Sequence, residues 1–153
     1  MDSQKYFVTE TLRHQAQVRE NLREIEKELY LRGFYHDCSK FSDEERPLFE
    51  EYTPKLKNST YGSEEYNEFL KGLKPALDNH YKENRHHPEH FENGIKGMNL
   101  LDIIEMLTDW YAATKRHNDG DILKSIEINQ KRFNYSDEFK QILVNTVKSL
   151  GWE

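Results

Sequence analysis

Cysteine, proline, glycine and long apolar runs are all scarce in this sequence. Its 153 residues include one cysteine, four prolines and seven glycines. The lone Cys38 excludes an internal disulfide and fits a reducing cytoplasm. No apolar stretch approaches the roughly 18 residues that a membrane span needs, and the chain begins without the apolar region of a signal peptide. We therefore predict a soluble, cytoplasmic protein with no membrane partner.

An excess of basic charge is also absent. The chain carries a formal net charge of −6 at pH 7. Binding to a nucleic-acid duplex draws on lysines and arginines that neutralise phosphates, so no duplex partner is expected. An acidic protein can still bind a small phosphorylated molecule if a metal ion supplies positive charge. The sequence leaves open whether the chain forms a homo-oligomer.

What the sequence does contain is helical periodicity. Apolar residues recur at helical spacing in six segments and never alternate as in a strand; the segments are residues 6–31, 42–57, 63–81, 99–117, 121–133 and 136–150. Gly33 is interpreted as a helix stop, and Pro75 is expected to bend or interrupt its helix. The length favours one domain over residues 1–153. We predict an all-α, compact single-domain bundle of about six helices.

Polar residues that can accept hydrogen bonds from the first backbone amides mark the helix starts. The run from Ser42 to Glu45 has the form of a capping box. The later helices are predicted to begin after residues of the same kind, which are Ser63, Asn99, Asp121 and Ser136. Residues 84–98 show no periodicity, so we predict a loop there.

Four residues far apart in the sequence have the chemistry of a metal site. His36 and Asp37 are adjacent, and neutral imidazole with carboxylate suits a divalent cation. His14 lies four residues before Val18, which predicts that it faces inward from the first helix. Asp109 lies close to the apolar face of a late helix, where an unpaired carboxylate is costly. Taken singly, each is more often structural, but their conjunction favours a divalent metal ion, with Mn, Mg, Co, Fe and Zn all compatible.

A second group of candidates lies in and just before the predicted loop. His80, His86, His87 and His90 fall within a short stretch, and clustered histidines are a supply of metal ligands. They could complete a second metal position bridged by Asp37, for which His80 and His87 are the predicted ligands. They could also bind and protonate a phosphate, or form a histidine-rich surface loop.

Other candidates would act on a substrate. Lys40 follows His36 by one helical turn, so it could hold an anionic group or merely be solvated. Asp37 or Glu105 would take the proton from the attacking water, while Lys40 and a loop histidine stabilise the developing anion. The predicted substrate-binding residues are Lys40, Arg85, His86 and His90.

The order of these residues resembles that of the HD superfamily of metal-dependent phosphohydrolases. The pattern of that family is an early His, a His-Asp pair and a later Asp on a helical scaffold, matched here by His14, His36, Asp37 and Asp109. The run His-Asp-Cys-Ser-Lys at residues 36–40 is similar to the His-Asp-x-x-Lys form of many members. His80 and the His86-His87 pair are similar to the added histidines of two-metal subgroups, including cyclic-dinucleotide phosphodiesterases, whose Gly-Tyr-Pro run is missing.

Longer runs look closer still to an uncharacterised family of HD-like proteins common in phage and bacterial genomes. These runs are residues 52–57 (Tyr-Thr-Pro-Lys-Leu-Lys), residues 84–90 (Asn-Arg-His-His-Pro-Glu-His), and residues 120–122 with 125–127. The resemblance implies an HD-domain-like helical fold and supports the ligand assignment. It carries almost no information on the substrate.

These features predict a metal-dependent phosphohydrolase that acts on a small phosphorylated substrate, a nucleotide or a related phosphate ester. One metal ion, or two, would lower the pKa of a bound water toward neutrality and polarise the phosphorus for attack. Two alternatives stay open. The same ligands are compatible with an HD-type di-iron oxygenase, and a non-catalytic protein could use the pocket to sequester a nucleotide.

Overall fold

The computed structural model describes residues 3–59, 63–116 and 120–153. These residues form six α-helices, which are α1 (Ser3–Tyr35), α2 (Arg46–Asn58), α3 (Glu64–Glu83), α4 (Leu100–Thr114), α5 (Ile122–Phe133) and α6 (Asp137–Ser149). Short 3-10 helices cover Cys38–Phe41, Pro88–His90 and Gly94–Gly97. The described ranges contain no strand, so the predicted all-α chain of about six helices is confirmed. None of the described helices is both long and apolar enough to cross a bilayer.

The chain divides into two compact units, residues 1–36 and residues 37–153. The first unit is a single helix, α1, and a helix by itself has no interior. The apolar residues of α1 are largely exposed, and so is His14. The exposure of His14 differs from the inward position predicted from its spacing to Val18. The single domain over residues 1–153 stays a prediction.

α1 does not stop at the predicted residue. The helix continues through Gly33 to Tyr35, so the prediction of a stop at Gly33 is wrong. A glycine costs about 1 kcal/mol in a helix interior, and in a long helix the remaining hydrogen bonds can offset that cost.

The core of the second unit is formed around α4, α5 and α6. Its buried members are Leu107, Ile122, Ile126, Tyr135, Leu143 and Val147. The hydroxyl of Tyr135 donates a hydrogen bond to the backbone carbonyl of Ile126 at 2.6 Å, so this buried polar group is satisfied. The core fixes α4, the helix that carries Glu105 and Asp109.

The predicted caps of the later helices are confirmed. The Ser63 hydroxyl accepts a hydrogen bond from the backbone amide of Tyr66 at 3.1 Å, and Asp121 and Ser136 cap α5 and α6 in the same way. Asn99 forms a capping box with Asp102 at the start of α4. α4 ends at Thr114, and residue 117, its predicted end, lies outside the described residues.

α3 is not interrupted at Pro75, contrary to one form of the prediction. A proline inside a helix removes one hydrogen bond and costs about 3 kcal/mol. Leu73 and Ala76 lie on either side of Pro75 and are buried. Burial of this apolar surface offsets the cost of the proline.

α2 begins later than predicted. Ser42 does accept a hydrogen bond from the backbone amide of Glu45 at 3.3 Å, but the helix begins at Arg46, with Pro47 in its first turn. Proline is favourable there because its missing N–H would have no helical partner. Glu45, which the sequence pattern identifies as a capping glutamate, is instead fully buried.

α2 and α3 approach each other closely at Gly72. A Cβ atom at this position would lie 2.3 Å from Cζ of Tyr52. Glu45 lies about two turns before Tyr52, and Asn79 lies about two turns after Gly72. These two residues are also in contact, because Nδ2 of Asn79 donates a hydrogen bond to Oε1 of Glu45 at 3.0 Å. The close contact therefore belongs to an antiparallel pair that brings Glu45 against the C-terminal half of α3.

Candidate metal centre

Four potential metal ligands converge in the second unit. Asp37 precedes a 3-10 helix, His80 lies in the last turn of α3, and His86 and His87 follow that helix. One ligand atom from each of the four lies within 4.8 Å of the others. Nε2 of His80 and Nε2 of His86 lie 3.1 and 3.4 Å from Oδ1 of Asp37. Imidazole nitrogen with one carboxylate oxygen is a common donor set for divalent transition metals.

The histidines of this cluster are held away from solvent. His80 and His86 are each 2% exposed. In the described part of the chain, Nε2 of His87 is buried and has no hydrogen-bond partner. A buried polar atom without a partner costs about 1–3 kcal/mol, so such atoms are rare in native proteins. A cation bound by this nitrogen would remove that cost.

The protonation states of the cluster suit a cation. Burial, with the adjacent His86 and His80, lowers the pKa of His87 to about 3, although Asp109 and Asp37 oppose the shift. Burial by itself would raise the pKa of Asp37, but contacts with His80, His86 and Lys40 outweigh it and hold that pKa well below its usual range. Near neutral pH, His87 is therefore neutral and Asp37 is ionised, the forms that bind metals.

Asp37 has an unusual backbone conformation. Its φ and ψ angles of 58 and 12° lie in the left-handed region, which aspartate and asparagine adopt more readily than most residues. Oδ2 of Asp37 accepts a hydrogen bond of 2.6 Å from Nζ of Lys40 in an ion pair. Oδ1 is the oxygen that lies near His80 and His86. The two carboxylate oxygens thus serve different partners.

A buried carboxylate lies behind His80. Nδ1 of His80 is 2.9 Å from Oε2 of Glu45, which is 0% exposed. The same glutamate accepts hydrogen bonds from the Ser39 hydroxyl at 3.1 Å and the Asn79 amide at 3.0 Å. A carboxylate is an acceptor, so it favours the His80 tautomer with the proton on Nδ1 and the lone pair on Nε2. Metal-binding histidines commonly have this kind of partner.

His86 has a similar partner on α4. Nδ1 of His86 lies 3.2 Å from Oε1 of Glu105. The contact is on the opposite side of the ring from Nε2, the nitrogen near Asp37. Glu105 is therefore placed to orient His86, whereas the sequence suggested that it accepts a proton from water. The sequence also suggested substrate binding for His86, but its buried ring belongs to the cluster.

The family of the chain follows from one comparison. A family model described as "Family of unknown function (DUF5662)" matches residues 3–149. The chain belongs to this family. No curated protein and no solved structure matches it. Membership of DUF5662 assigns no activity to the chain. The resemblance to the HD superfamily stays a prediction.

A pocket of about 560 Å³ adjoins the cluster in this DUF5662 protein. His87 and Asp109 both line it, and Trp110, Asn129 and Arg132 are among the other lining residues. His87 thus belongs both to the ligand cluster and to the pocket wall. Asp109, a predicted ligand, is close enough for its charge to affect the pKa of His87, but it is not one of the four converging residues.

Two residues predicted to bind substrate have structural contacts. Arg85 makes a two-pronged ion pair with Asp102, with Nε–Oδ1 and Nη2–Oδ2 distances of 3.1 and 2.9 Å. Nδ1 of His90 lies 3.1 Å from the backbone carbonyl of Tyr81, which ties the segment after α3 back to that helix. His14 and His36 belong to the first unit, and the ligand roles predicted for them stay predictions.

Arg85 gives a test that separates a structural role from substrate binding. Asp102 is fully buried, so Arg85→Ala removes two charge-assisted hydrogen bonds from an acid that cannot reach water. We expect the free energy of unfolding to fall by about 2 kcal/mol, measured by urea titration, with an unchanged KM for any substrate. A rise in KM without loss of stability would restore the predicted substrate-binding role.

Proposed function

We propose that this protein is a metal-dependent phosphohydrolase that acts on a small phosphorylated substrate. Asp37, His80, His86 and His87 would hold the divalent ion. The observation that carries the proposal is the convergence of these four ligand atoms within 4.8 Å, with carboxylates behind two of the imidazoles. The arrangement has both the ligands and the supporting layer that metal sites need.

The four residues fit a divalent ion in charge and in donor type. An ionised Asp37 and a neutral His87 provide negative charge and a nitrogen lone pair. Lys40 pairs with Oδ2 of Asp37, which leaves Oδ1 directed at the imidazole nitrogens, where a cation would bind both kinds of donor. The buried Nε2 atom of His87, which has no hydrogen-bond partner among the described residues, supports the same conclusion.

A divalent metal ion in this position would supply an activated water and would polarise a phosphoryl group. The protein supplies the rest. Lys40 Nζ lies at the edge of the cluster, with its side chain one-third exposed, so its ammonium can contact a phosphate oxygen next to Asp37. Charge that develops on that oxygen would be stabilised by the ammonium. Glu45 and Glu105 keep two imidazoles oriented throughout.

Removal of metal is the direct test. We expect dialysis against a chelator to abolish phosphate release from a panel of nucleotides and phosphate monoesters. Addition of Mn²⁺ or Co²⁺ should restore it, because the charge that polarises the phosphoryl group is then returned. Metal content by plasma mass spectrometry and phosphate release by a colorimetric assay are the two measurements.

Each result of that experiment has a definite meaning. Phosphate release that persists after complete chelation would overturn the proposal. About two irons per chain together with O₂ uptake would replace it with the oxygenase alternative. Tight nucleotide binding without turnover under every metal tested would replace it with a sequestering role.

A further inference from the structure

The size and lining of the pocket beside His87 indicate which phosphate esters the site would accept. We propose that it holds an uncharged, planar aromatic leaving group of about the size of a nucleoside, so that the substrate is a phosphate monoester and not a di- or triphosphate. This inference rests on the proposed function, because it places the single phosphoryl group at the metal cluster.

The pocket has suitable size and walls. Its volume of about 560 Å³ lies within the range of small-molecule sites. The Trp110 and Phe133 rings both line it and are parallel, with a 5° interplanar angle and centroids 6.2 Å apart. Tyr81 lines it as well. A planar ring bound against aromatic side chains gains both buried area and favourable ring–ring contact.

The charge of the pocket disfavours further phosphates. Among the described residues that line it, Arg132 is the one permanent cation, and Nη2 of Arg132 already pairs with Glu89. The lining also contains two carboxylates, those of Glu89 and Asp109. A second and third phosphate would therefore enter a pocket whose described lining has more carboxylates than cations, which costs free energy.

Polar groups on α5 can recognise the edge of a ring. Asn129 and Ser125 both line the pocket, and Nδ2 of Asn129 lies 3.4 Å from the hydroxyl of Ser125. That distance is long for a hydrogen bond, so both groups can exchange it for a bond to a ligand. An amide provides donors and an acceptor, which suits the edge of a heterocycle.

The reaction would occur where pocket and cluster meet, at His87. Water oxygen would bond to phosphorus while the bond from phosphorus to the ester oxygen breaks. The attacking water would give up one proton and the ester oxygen would take one up, so that the products are inorganic phosphate and a neutral alcohol. The alcohol is the part that the pocket holds.

The substrate test compares three esters with the Mn²⁺-loaded protein: a nucleoside 5′-monophosphate, the corresponding triphosphate and glycerol phosphate. We expect kcat/KM to be at least about 10-fold higher for the monophosphate than for either of the others. Stacking on an aromatic side chain is worth about 1–3 kcal/mol per base, so Trp110→Ala should raise the KM for the monophosphate about 10–100-fold.

Two further variants provide a control and a second test of the pocket. Trp152 stacks on Tyr111 and does not line the pocket, so Trp152→Ala is the matched control and should leave the KM for the monophosphate unchanged. Asn129→Ala removes little packing and should still raise that KM, which covers the case in which Trp110→Ala fails to fold. Equal kcat/KM for mono- and triphosphate, or an unchanged KM in Asn129→Ala and in folded Trp110→Ala, would overturn the inference.

A binding measurement separates this inference from the proposed function. The chain has two tryptophans, so Trp152→Phe leaves Trp110 as the only one, and a nucleoside added without metal should change its fluorescence in a saturable manner. No phosphate release with any ester, but a normal fluorescence titration, would overturn the phosphohydrolase and retain the aromatic pocket. Phosphate release without any change in fluorescence would overturn the pocket and retain the phosphohydrolase.

Discussion

The Asp37→Asn variant should bind Mn²⁺ more than about 100-fold more weakly than the parent chain and lose phosphate-releasing activity to at least the same extent. Loss of a group that only supports a ligand costs about 10–100-fold, and loss of a charged ligand should cost more. Asparagine keeps the size of aspartate and also tolerates the left-handed backbone, with φ of 58°, found at this position. Competition with a chromophoric chelator measures the affinity.

A matched variant controls for the change in net charge. Asp78 lies on α3 in an exposed ion pair with Lys74, so Asp78→Asn removes the same charge at a distance from the cluster. We expect parent-like metal affinity and activity in that protein. If Asp37→Asn bound metal as well as Asp78→Asn does, Asp37 would not be a ligand.

Glu45→Ala should lower the free energy of unfolding by about 3–5 kcal/mol even without metal, a larger loss than that expected for Arg85→Ala. The carboxylate is fully buried and accepts hydrogen bonds from Ser39 and Asn79 while it contacts Nδ1 of His80. Removal leaves these groups without their acceptor and opens a cavity. Urea unfolding of the metal-free protein measures the effect.

Neighbouring and conservative variants sharpen this test. Glu44 is exposed, so Glu44→Ala should change stability by less than about 0.5 kcal/mol. Glu45→Gln keeps the volume but no longer favours the His80 proton on Nδ1, and we expect metal affinity to fall about 10–100-fold with a smaller loss of stability. Equal stability of Glu44→Ala and Glu45→Ala would contradict the burial and contacts described for Glu45.

Helix starts could be predicted from the sequence because their cause is local. Ser63, Asn99, Asp121 and Ser136 each satisfy amides two or three residues further along the chain, so a short window contains the whole interaction. The stop at Gly33 failed for the same reason. A short window shows the cost of a glycine but not the long helix before it that offsets this cost.

The supporting carboxylates could not be predicted, because their partners are distant in sequence. Glu45 follows Ser42 at capping-box spacing, so the local pattern already explains the glutamate. Its contact with His80 joins residues 35 positions apart, and a local pattern cannot show such a contact. The density of histidines near the end of α3 led to the prediction of metal ligands, but it could not show that His86 would join His80 and His87 in one cluster. Only the packing of α4 against that segment brings Glu105 next to His86.

The contact at Gly72 has a consequence for the cluster although it lies about two turns away from His80. A methyl group there would overlap the ring of Tyr52, whose helix begins beside Glu45. Any larger residue at position 72 would displace the Tyr52 ring from its place against α3. The absence of a side chain at position 72 thus leaves room for the Tyr52 ring between the two helices that carry Asn79 and follow Glu45, the pair joined by a 3.0 Å hydrogen bond.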